Sequence, residues 1–297
     1  MDFMNIQSSF IKKINNWEKK GKIIFFKINN KKIISHFSVP VTEKINKSIF
    51  RIYFSSRDYL NRSNIFFCDY DLLKNKIIKK TKTPILSPGE LGTFDDSGVT
   101  PTYLLNIGKK KYLYYVGWRS SGSTRMSLSV GLAIYDKKSK KFLRYSNVPI
   151  LERSKVDPYL TATLSILREK KIFKMLYVSG DGWKKIGKQT YPKYNIKFAH
   201  SFDGINWIRK GKISVDYENK SEHALAKPSV IKVGKKYLMF FCSKKYKAEY
   251  KLQIATSNNG KKWTRLKNFN FSSLKKEKWE NQMHCYPHVI KFKKNLY

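Results

Sequence analysis

One pattern recurs five times along the 297 residues and limits the fold more than any other feature. Each copy has a polar segment, a short strand-like run, a turn of Gly, Lys and Asn, and a strand-like run rich in aromatic residues. The copies align on five positions: Pro40, Pro101, Leu164, Pro228 and Pro287. Successive positions are separated by 61, 63, 64 and 59 residues. Such regular repetition is typical of propellers and solenoids. The chain is therefore predicted to consist of five equivalent units.

A second hairpin lies in the intervals between the copies. Three of these hairpins are alike: VGLAIYDKKSKKFLRY, IKFAHSFDGINWIRKG and LQIATSNNGKKWTRLK. The DG and NNG turns between alternating runs are hairpin signals. Each repeat thus holds about four short strands and no convincing helix, which predicts an all-β, five-bladed β-propeller. A β-sandwich with chance similarity between its strands is the alternative.

The predicted blades form a single domain of residues 1–297, with approximate bounds 30–92, 93–153, 154–218, 219–275 and 276–297. The fifth copy stops at Tyr297 and lacks roughly half a blade, so the last blade is predicted to be incomplete. Either the chain is a fragment, or the N-terminal segment GKIIFFKI, residues 21–28, supplies a closing strand.

The composition restricts the partners. Lys and Arg number 61 against 21 Asp and Glu, a formal net charge of +40. Only ten of the basic residues are Arg, the preferred residue for bidentate phosphate and base contacts, and the lysines are spread through turns. Specific nucleic-acid binding is therefore not expected.

The three cysteines show no CxxC spacing, so neither a disulfide scaffold nor a zinc site is expected. With no apolar run of 18 residues and no apolar signal segment, a cytoplasmic protein without a transmembrane segment is predicted.

Ionisable residues stand at the start of each repeat, just before the innermost strand. In a propeller these strands line the axis, so residues at their starts converge on one funnel. By blade, the chain places there His36; Asp95 and Asp96; Asp157; Glu222 and His223; and His284 and His288. Acids in three consecutive blades predict a carboxylate cluster at the axis.

These motifs resemble a known superfamily. VDPYLTA is similar to the Asp-Pro motif of the arabinanase, levansucrase and invertase superfamily of glycoside hydrolases, and SEHALAKPSV to its Glu-x-Pro region, with the Pro six residues after Glu222 instead of two. The motifs IYFSSRD, PGELGTFDDSGVTPT, YYVGW, YVSGDGW and YPKYNIKFAHSFDGINW look like an uncharacterised branch associated with bacterial surface-polysaccharide gene clusters. The superfamily's first acid normally lies on the first blade, where this chain has His36.

The resemblance implies a role for each acid. Asp96, or Asp95, would be the nucleophile or base, Asp157 would hold sugar hydroxyls and tune the acid, and Glu222 would be the general acid. Glycoside cleavage commonly uses such a pair, one carboxyl protonated and the other ionised. The structural alternatives are a plain turn for Asp-Asp-Ser-Gly, a strand entry for Asp157-Pro158, and a solvated loop pair for Glu222 and His223.

Further residues are predicted to bind substrate at the funnel. Trp118 and Trp183 could stack on a sugar, and Asp58 beside Arg57 could form an ion pair. Three basic residues could neutralise an acidic sugar or a phosphate near the funnel: Arg57, Arg119 and Lys227. The complete predicted binding set is Asp95, His36, Arg57, Asp58, Trp118, Tyr159, Trp183, His223, Lys227 and His284. No cofactor or metal ligand set is predicted. A metal ion on the axis is the alternative, because some members of the superfamily hold a calcium ion there with help from a His.

Three functions follow as hypotheses. The first is a glycoside hydrolase-like enzyme of surface-polysaccharide (O-antigen or capsule) metabolism, acting on a carbohydrate or a nucleotide- or lipid-linked sugar. The second is a sugar transferase or phosphorylase on the same scaffold. The third is a non-catalytic propeller that binds glycan or protein, since propellers carry many functions.

Overall fold

The computed structural model describes residues 17–23, 35–267 and 283–297. Every regular element in these ranges is a β-strand, and the strands form a five-bladed propeller. Four blades have four strands each, numbered outward from the axis. Blade 1 consists of β1 (Ser35–Lys44), β2 (Ile49–Arg57), β3 (Ser63–Asp71) and β4 (Lys76–Lys80). Blade 2 consists of β5 (Gly98–Ile107), β6 (Lys110–Arg119), β7 (Ser127–Asp136) and β8 (Lys141–Arg144).

The next two blades follow the same order. Blade 3 consists of β9 (Thr161–Glu169), β10 (Ile172–Ile186), β11 (Gln189–Ser201) and β12 (Ile208–Val215). Blade 4 consists of β13 (Glu222–Val233), β14 (Lys236–Lys245), β15 (Lys251–Ser257) and β16 (Thr264–Arg265). The described part of blade 5 ends in a short hairpin, β17 (Lys291–Phe292) and β18 (Asn295–Leu296). The fold class predicted from the repeats is therefore confirmed.

Within a blade the strands pair antiparallel in sequence order, and burial follows strand position. The second strands, such as β6 and β14, are buried over almost their whole length because neighbouring blades cover both faces. The fourth strand of blade 1, β4, is short and rich in Lys (KIIKK), which discourages pairing with another chain at an open edge.

Side-chain hydroxyls link the innermost strands of neighbouring blades. The Leu164 amide donates to Thr102 Oγ1, and the Lys227 amide donates to Thr163 Oγ1. Apolar side chains fill the space between blades 2 and 3, where Tyr114 and Tyr177 belong to one fully buried cluster. The blades are thus fastened both at the axis and between their sheets.

Residues 283–290 occupy the fifth position at the axis, between blades 4 and 1. The Val289 amide donates to Ser229 Oγ on β13, and the Thr42 amide on β1 donates to His288 Nε2. This contact closes the ring. Trp17 also packs edge-on against Phe240 of blade 4, so the N-terminal part of the chain reaches the same region. Of the closing strand predicted at residues 21–28, positions 24–28 lie outside the described residues, and residues 21–23 form no strand.

Candidate functional site

Aromatic side chains converge at the end of the axis where the innermost strands begin. We call the set Trp118, Trp183, Tyr250, Cys285 and Tyr286 the axial funnel; its members are partly buried and pack against one cluster of buried apolar residues. That cluster includes Ala162, Ala224, Ala226 and Cys242. The funnel collects residues from blades 2, 3 and 4 and from the C-terminal segment, as the repeat pattern predicts for one end of a propeller.

Unusual backbone geometry shapes the innermost strands below the funnel. Val39, Lys227 and Tyr286 each precede a Pro and have φ of 54°, 52° and 57°. A non-glycine residue in this left-handed region is uncommon. The pairing register of β1 and of β13 shifts at the same places, so these two residues lie in β-bulges. Bulges re-aim side chains and are frequent beside functional sites.

Asp157 is fully enclosed in blade 3. It is 0% exposed and accepts hydrogen bonds from Ser179 Oγ at 2.6 Å and from Tyr177 OH at 3.1 Å. Arg209 Nη1 lies 2.8 Å from Oδ2, and Lys197 Nζ lies 3.3 Å from Oδ1. Burial, followed by the charge of Asp157, raises the pKa of Tyr177, so the tyrosine remains a neutral donor. Every partner of Asp157 belongs to its own blade.

Glu222 is held in the same way in blade 4. Arg265 Nη1 lies 3.1 Å from Oε1 and Nη2 lies 2.7 Å from Oε2, a bidentate ion pair. The Glu218 amide also donates to Oε2 at 2.8 Å. In this arrangement both carboxylate oxygens of Glu222 are occupied, by Arg265 and by an amide of the loop before β13.

Asp95 forms the third pair of this kind. Arg144 Nε donates to its Oδ2 at 2.9 Å, and Thr93 Oγ1 donates to its Oδ1 at 3.0 Å. Asp95 and Asp157 each lie just before the first strand of their own blade, and Glu222 is the first residue of the first strand of blade 4. The three arginine partners lie on the fourth strands of the same blades. In the described part of the chain no hydrogen bond or ion pair joins any two of these acids, and no group of three His, Cys, Asp or Glu could hold a metal ion.

Asp96 differs from the other three acids. It is partly exposed and accepts from the Gly92 amide at 3.0 Å and from Ser97 Oγ at 2.7 Å. Across residues 35–267 and the two terminal ranges, it is in no ion pair. The Ser97 amide bonds to the Trp118 carbonyl, so Asp96 lies at the rim of the axial funnel.

Blade 1 contributes basic groups to the same end of the axis. Ser35 pairs with Arg57 at the start of β1, and burial together with the nearby Arg57 lowers the pKa of His36. The predicted ion pair of Asp58 with Arg57 is wrong: Asp58 pairs with Arg62, whose Nη2 lies 3.2 Å from Oδ2, and Arg57 donates to Asn61. The four-residue separation of Asp58 and Arg62 lets them close a tight loop, and within the described ranges Arg57 pairs with no carboxylate.

The remaining predicted binding residues lie at different depths. Trp118 Nε1 donates to Thr100 Oγ1, Tyr159 is 44% exposed, and Trp183 lies on a hairpin extension opposite Pro192. His284 is partly buried. His223 is buried, stacks on Tyr246 with 4.7 Å between ring centroids, and bonds to the Pro192 carbonyl through Nδ1. Its Nε2 has no hydrogen-bond partner among the described residues, and burial lowers its pKa.

Lys227 and His288 line the axis below the funnel. Lys227 is only 1% exposed, and burial lowers its pKa to about 7. His288 accepts from the Thr42 amide through Nε2, and burial lowers its pKa to about 3, so its ring is neutral at pH 7. Calcium requires several oxygen ligands, usually with carboxylates among them. The amine and imidazole on this axis do not fit such an ion.

Two sequence relatives have nearly the same length as this chain. The uncharacterized proteins MT1551 and Rv1502 of Mycobacterium tuberculosis are each 32% identical over 275 residues, which cover 92% of this chain and 90% of each relative. The chain belongs to their family. No family model matches it.

The fold of this Rv1502-family member is that of solved glycoside hydrolases. A protein described as a glycoside hydrolase has a TM-score of 0.74 at 16% identity, with 98% of this chain and 88% of that chain covered. A thermostable family-43 glycoside hydrolase has a TM-score of 0.60 at 16% identity, covering 88% and 81%. A GH32 β-fructofuranosidase of Bombyx mori has a TM-score of 0.55 at 15% identity, covering 79% and 51%. The chain therefore shares the five-bladed propeller fold of these glycoside hydrolases.

Within the described ranges, this member of the Rv1502 family has no helix that is long and apolar enough to cross a bilayer.

The arginines that neutralise the buried acids were not predicted, although the sequence carries a signal for them. Arg144, Arg209 and Arg265 occupy equivalent places in the three similar hairpins, in FLRY, WIRK and WTRL.

Proposed function

We propose that the protein binds a negatively charged carbohydrate at the axial funnel, and that Asp95, Asp157 and Glu222 hold their blades together and cleave no bond. The observation that carries the structural role of these acids is the repeated ion pair between each of them and an arginine on the fourth strand of the same blade.

Glycoside hydrolysis needs two available carboxyl groups, about 5–9.5 Å apart across the scissile bond. A general acid must present an oxygen to the leaving group, but Arg265 and the Glu218 amide occupy both oxygens of Glu222. Asp157 is likewise surrounded by donors of blade 3. In the described part of the chain, Asp96 is then the one candidate acid without an arginine partner, and one carboxylate does not complete the pair.

The funnel has the features of a carbohydrate site. Trp118, Trp183 and Tyr286 offer partly exposed aromatic surface, which packs against the apolar face of a sugar ring. Serine and threonine hydroxyls nearby, such as Ser97 and Ser120 at the rim, can bond to sugar hydroxyls.

Charge at the funnel favours an anionic ligand. Arg57 ends the second strand of blade 1 opposite Ser35, and Arg119 ends that of blade 2, directly after Trp118, which pairs with Gly98 at the start of β5. Lys244 lies opposite Ala224 at the same end of blade 4, and Lys184 follows Trp183 on the hairpin extension. Arginine matches carboxylate and phosphate oxygens with paired hydrogen bonds. A uronic acid, a sialic acid or a phosphorylated sugar would suit this surface.

The test combines binding with turnover. Tryptophan fluorescence is titrated with oligosaccharides of galacturonic acid, sialyllactose and glucose 6-phosphate, each beside its neutral counterpart. We expect saturable quenching by at least one anionic sugar, weakened at least tenfold in Trp118→Ala and in Arg57→Met. Trp263→Ala, in the outer hairpin of blade 4, is the matched control and should bind normally.

Two results would overturn the proposal. One is the absence of saturable quenching by every anionic sugar. The other is hydrolysis of a 4-nitrophenyl glycoside that disappears in a folded Asp157→Asn or Glu222→Gln variant, because that outcome would assign catalysis to the paired acids.

A second candidate function rests on Asp96. A phosphorylase needs one carboxylic acid for the leaving oxygen, while inorganic phosphate takes the place of the second carboxylate as nucleophile. Asp96 at the rim, with Arg57 and Arg119 at the same end of the axis, would supply these parts. Turnover that requires phosphate and is lost in Asp96→Asn would favour this reading over pure binding. Roles in surface-polysaccharide metabolism, in the cytoplasm, or on nucleotide- or lipid-linked sugars stay predictions from the resemblance.

A further inference from the structure

A second cavity lies on the axis, below the funnel. Its volume is about 180 Å³, and it is lined mainly by the later halves of the innermost strands. Polar lining comes from Thr42, Tyr103, Ser165, Lys227, Ser229 and His288. Because a water molecule takes about 30 Å³ of liquid volume, this cavity has room for a chloride ion or a tetrahedral oxyanion with some water.

Hydrogen-bond donors predominate in the cavity. Ser165 Oγ accepts from the Val230 amide at 3.1 Å and Ser229 Oγ accepts from the Val289 amide at 2.9 Å. Each hydroxyl therefore keeps its own proton for another acceptor. His288 Nε2 accepts from the Thr42 amide, which places the proton of its neutral ring on Nδ1.

The amine of Lys227 is the strongest donor and the least satisfied. An ammonium group has three protons to donate, and among the described residues Nζ has one acceptor, the Thr102 carbonyl at 3.3 Å. None of the described residues that line the cavity is acidic. A buried charge without a counter-charge is costly, so proteins usually pair it.

The titratable neighbours of Lys227 do not supply a negative charge at pH 7. On β14, burial raises the pKa of Cys242, which keeps the thiol neutral. On β5, burial raises the pKa of Tyr103 to about 12, and on the C-terminal segment burial and Lys227 lower the pKa of His288 to about 3. Lys227 is the one group in this set that is charged near neutrality.

We propose that the axial cavity binds one small inorganic anion, held by the Lys227 ammonium group and the hydroxyls of Ser165 and Ser229. This site is separate from the sugar site proposed at the funnel. The anion would supply the counter-charge that the described protein groups lack, and it would stabilise the centre of the propeller, where the innermost strands meet.

Thermal unfolding in sodium chloride, sodium phosphate and sodium gluconate at equal ionic strength tests the site. We expect chloride or phosphate to raise the melting temperature of the wild type above its value in gluconate. Non-specific anion binding to a chain with a net charge of +40 must be separated from this effect. Lys235→Met removes an exposed lysine two residues beyond β13 and should keep the anion effect, whereas Lys227→Met should abolish it.

The dependence on pH gives an independent readout. Since burial lowers the pKa of Lys227 to about 7, anion affinity should fall about tenfold for each pH unit above that value. Two results would overturn the proposal. One is a rise in melting temperature with chloride or phosphate that is unchanged in Lys227→Met. The other is a wild-type melting temperature in chloride and in phosphate that equals the value in gluconate.

A crystallographic experiment on the wild type covers the case in which Lys227→Met does not fold. Crystals soaked in sodium bromide should show an anomalous peak in the axial cavity, and its absence would contradict the proposal. Loss of the peak after added phosphate would assign the site to an oxyanion, and persistence to a halide. None of these measurements depends on sugar binding at the funnel, so the two proposals can fail separately.

Discussion

Arg209 Nη1 lies 2.8 Å from Oδ2 of Asp157, so an ion pair connects the fourth strand of blade 3 to the residue that leads into its first strand. The same connection is made by Arg144 with Asp95 and by Arg265 with Glu222. Each pair spans the full width of a blade. The recurrence of acids at blade starts is therefore matched by the recurrence of arginines at blade edges, which is the behaviour of a structural repeat.

Asp157→Asn should destabilise the protein by about 3–5 kcal/mol. The substitution keeps the shape of the side chain but leaves Arg209 and Lys197 without a negative partner in a buried position, which is the costly way to break a buried ion pair. The free energy of unfolding in urea measures the change.

The control for this substitution is Glu152→Gln in the exposed pair with Arg153, which should change stability by less than about 1 kcal/mol. If Asp157→Asn were as stable as the wild type, the ion pair of Asp157 would not stabilise blade 3, and the predicted catalytic role of this acid would regain support.

Gly131→Ala should destabilise blade 2 by about 1–3 kcal/mol or more, because an added methyl group overpacks the core beside the Asp95 pair. A Cβ at position 131 would lie 2.4 Å from the ζ carbon of Tyr115. Tyr115 is fully buried and stacks on Phe94, so its ring has no room to withdraw. Gly122→Ala meets nothing within 4 Å and should be neutral in the same urea titration. Equal stabilities for the two variants would contradict the packing described here.

The repeat pattern was sufficient to predict the propeller because strand period and turn chemistry are local properties. The SFDG and SNNG turns form as their residue types require: Ser201 and Asp203 accept bonds from the amides of the first turn, as Ser257 and Asn259 do in the second. Although burial acts to raise it, these hydrogen bonds lower the pKa of Asp203 to about 2.

The candidate site was less predictable because its chemistry depends on partners distant in sequence. Asp157 and Arg209 are 52 positions apart, and periodicity does not reveal which acid faces which base. The burial of Lys227 was also not foreseen. In the sequence, the segment that contains Lys227 resembles an ordinary polar beginning of a strand. In the structure, the β-bulge before Pro228 places the lysine at the axis.

Lys227→Met should stabilise the protein near neutral pH and lose this advantage as the pH rises. Burial lowers the folded-state pKa of Lys227 from 10.5 to about 7. Between these values the unfolded chain holds one more proton at this site than the folded chain, so the site's contribution to stability rises with pH by at most ~1.4 kcal/mol per unit. Urea unfolding in gluconate buffer at pH 7 and pH 9 measures the difference between variant and wild type. Parallel pH profiles for the two proteins would contradict the burial of a titrating amine.

The closing contact of His288 with Thr42 should make the propeller sensitive to acid. Burial, reinforced by Lys227, lowers the pKa of His288 from 6.5 to about 3, and its Nε2 must stay unprotonated to accept from the Thr42 amide. Between pH 6.5 and pH 3 the unfolded chain therefore binds a proton at this site that the folded chain excludes, and stability falls as the pH falls, by at most ~1.4 kcal/mol per unit.

Gln at this position can accept the same hydrogen bond through its amide oxygen but does not titrate. We expect His288→Gln to lose less stability than the wild type when urea unfolding is compared at pH 7 and pH 4.5. His200→Gln, on β11 and away from the closing contact, should follow the wild-type profile. If His288→Gln also followed it, the acid sensitivity would arise elsewhere and the neutral-histidine closure would be refuted.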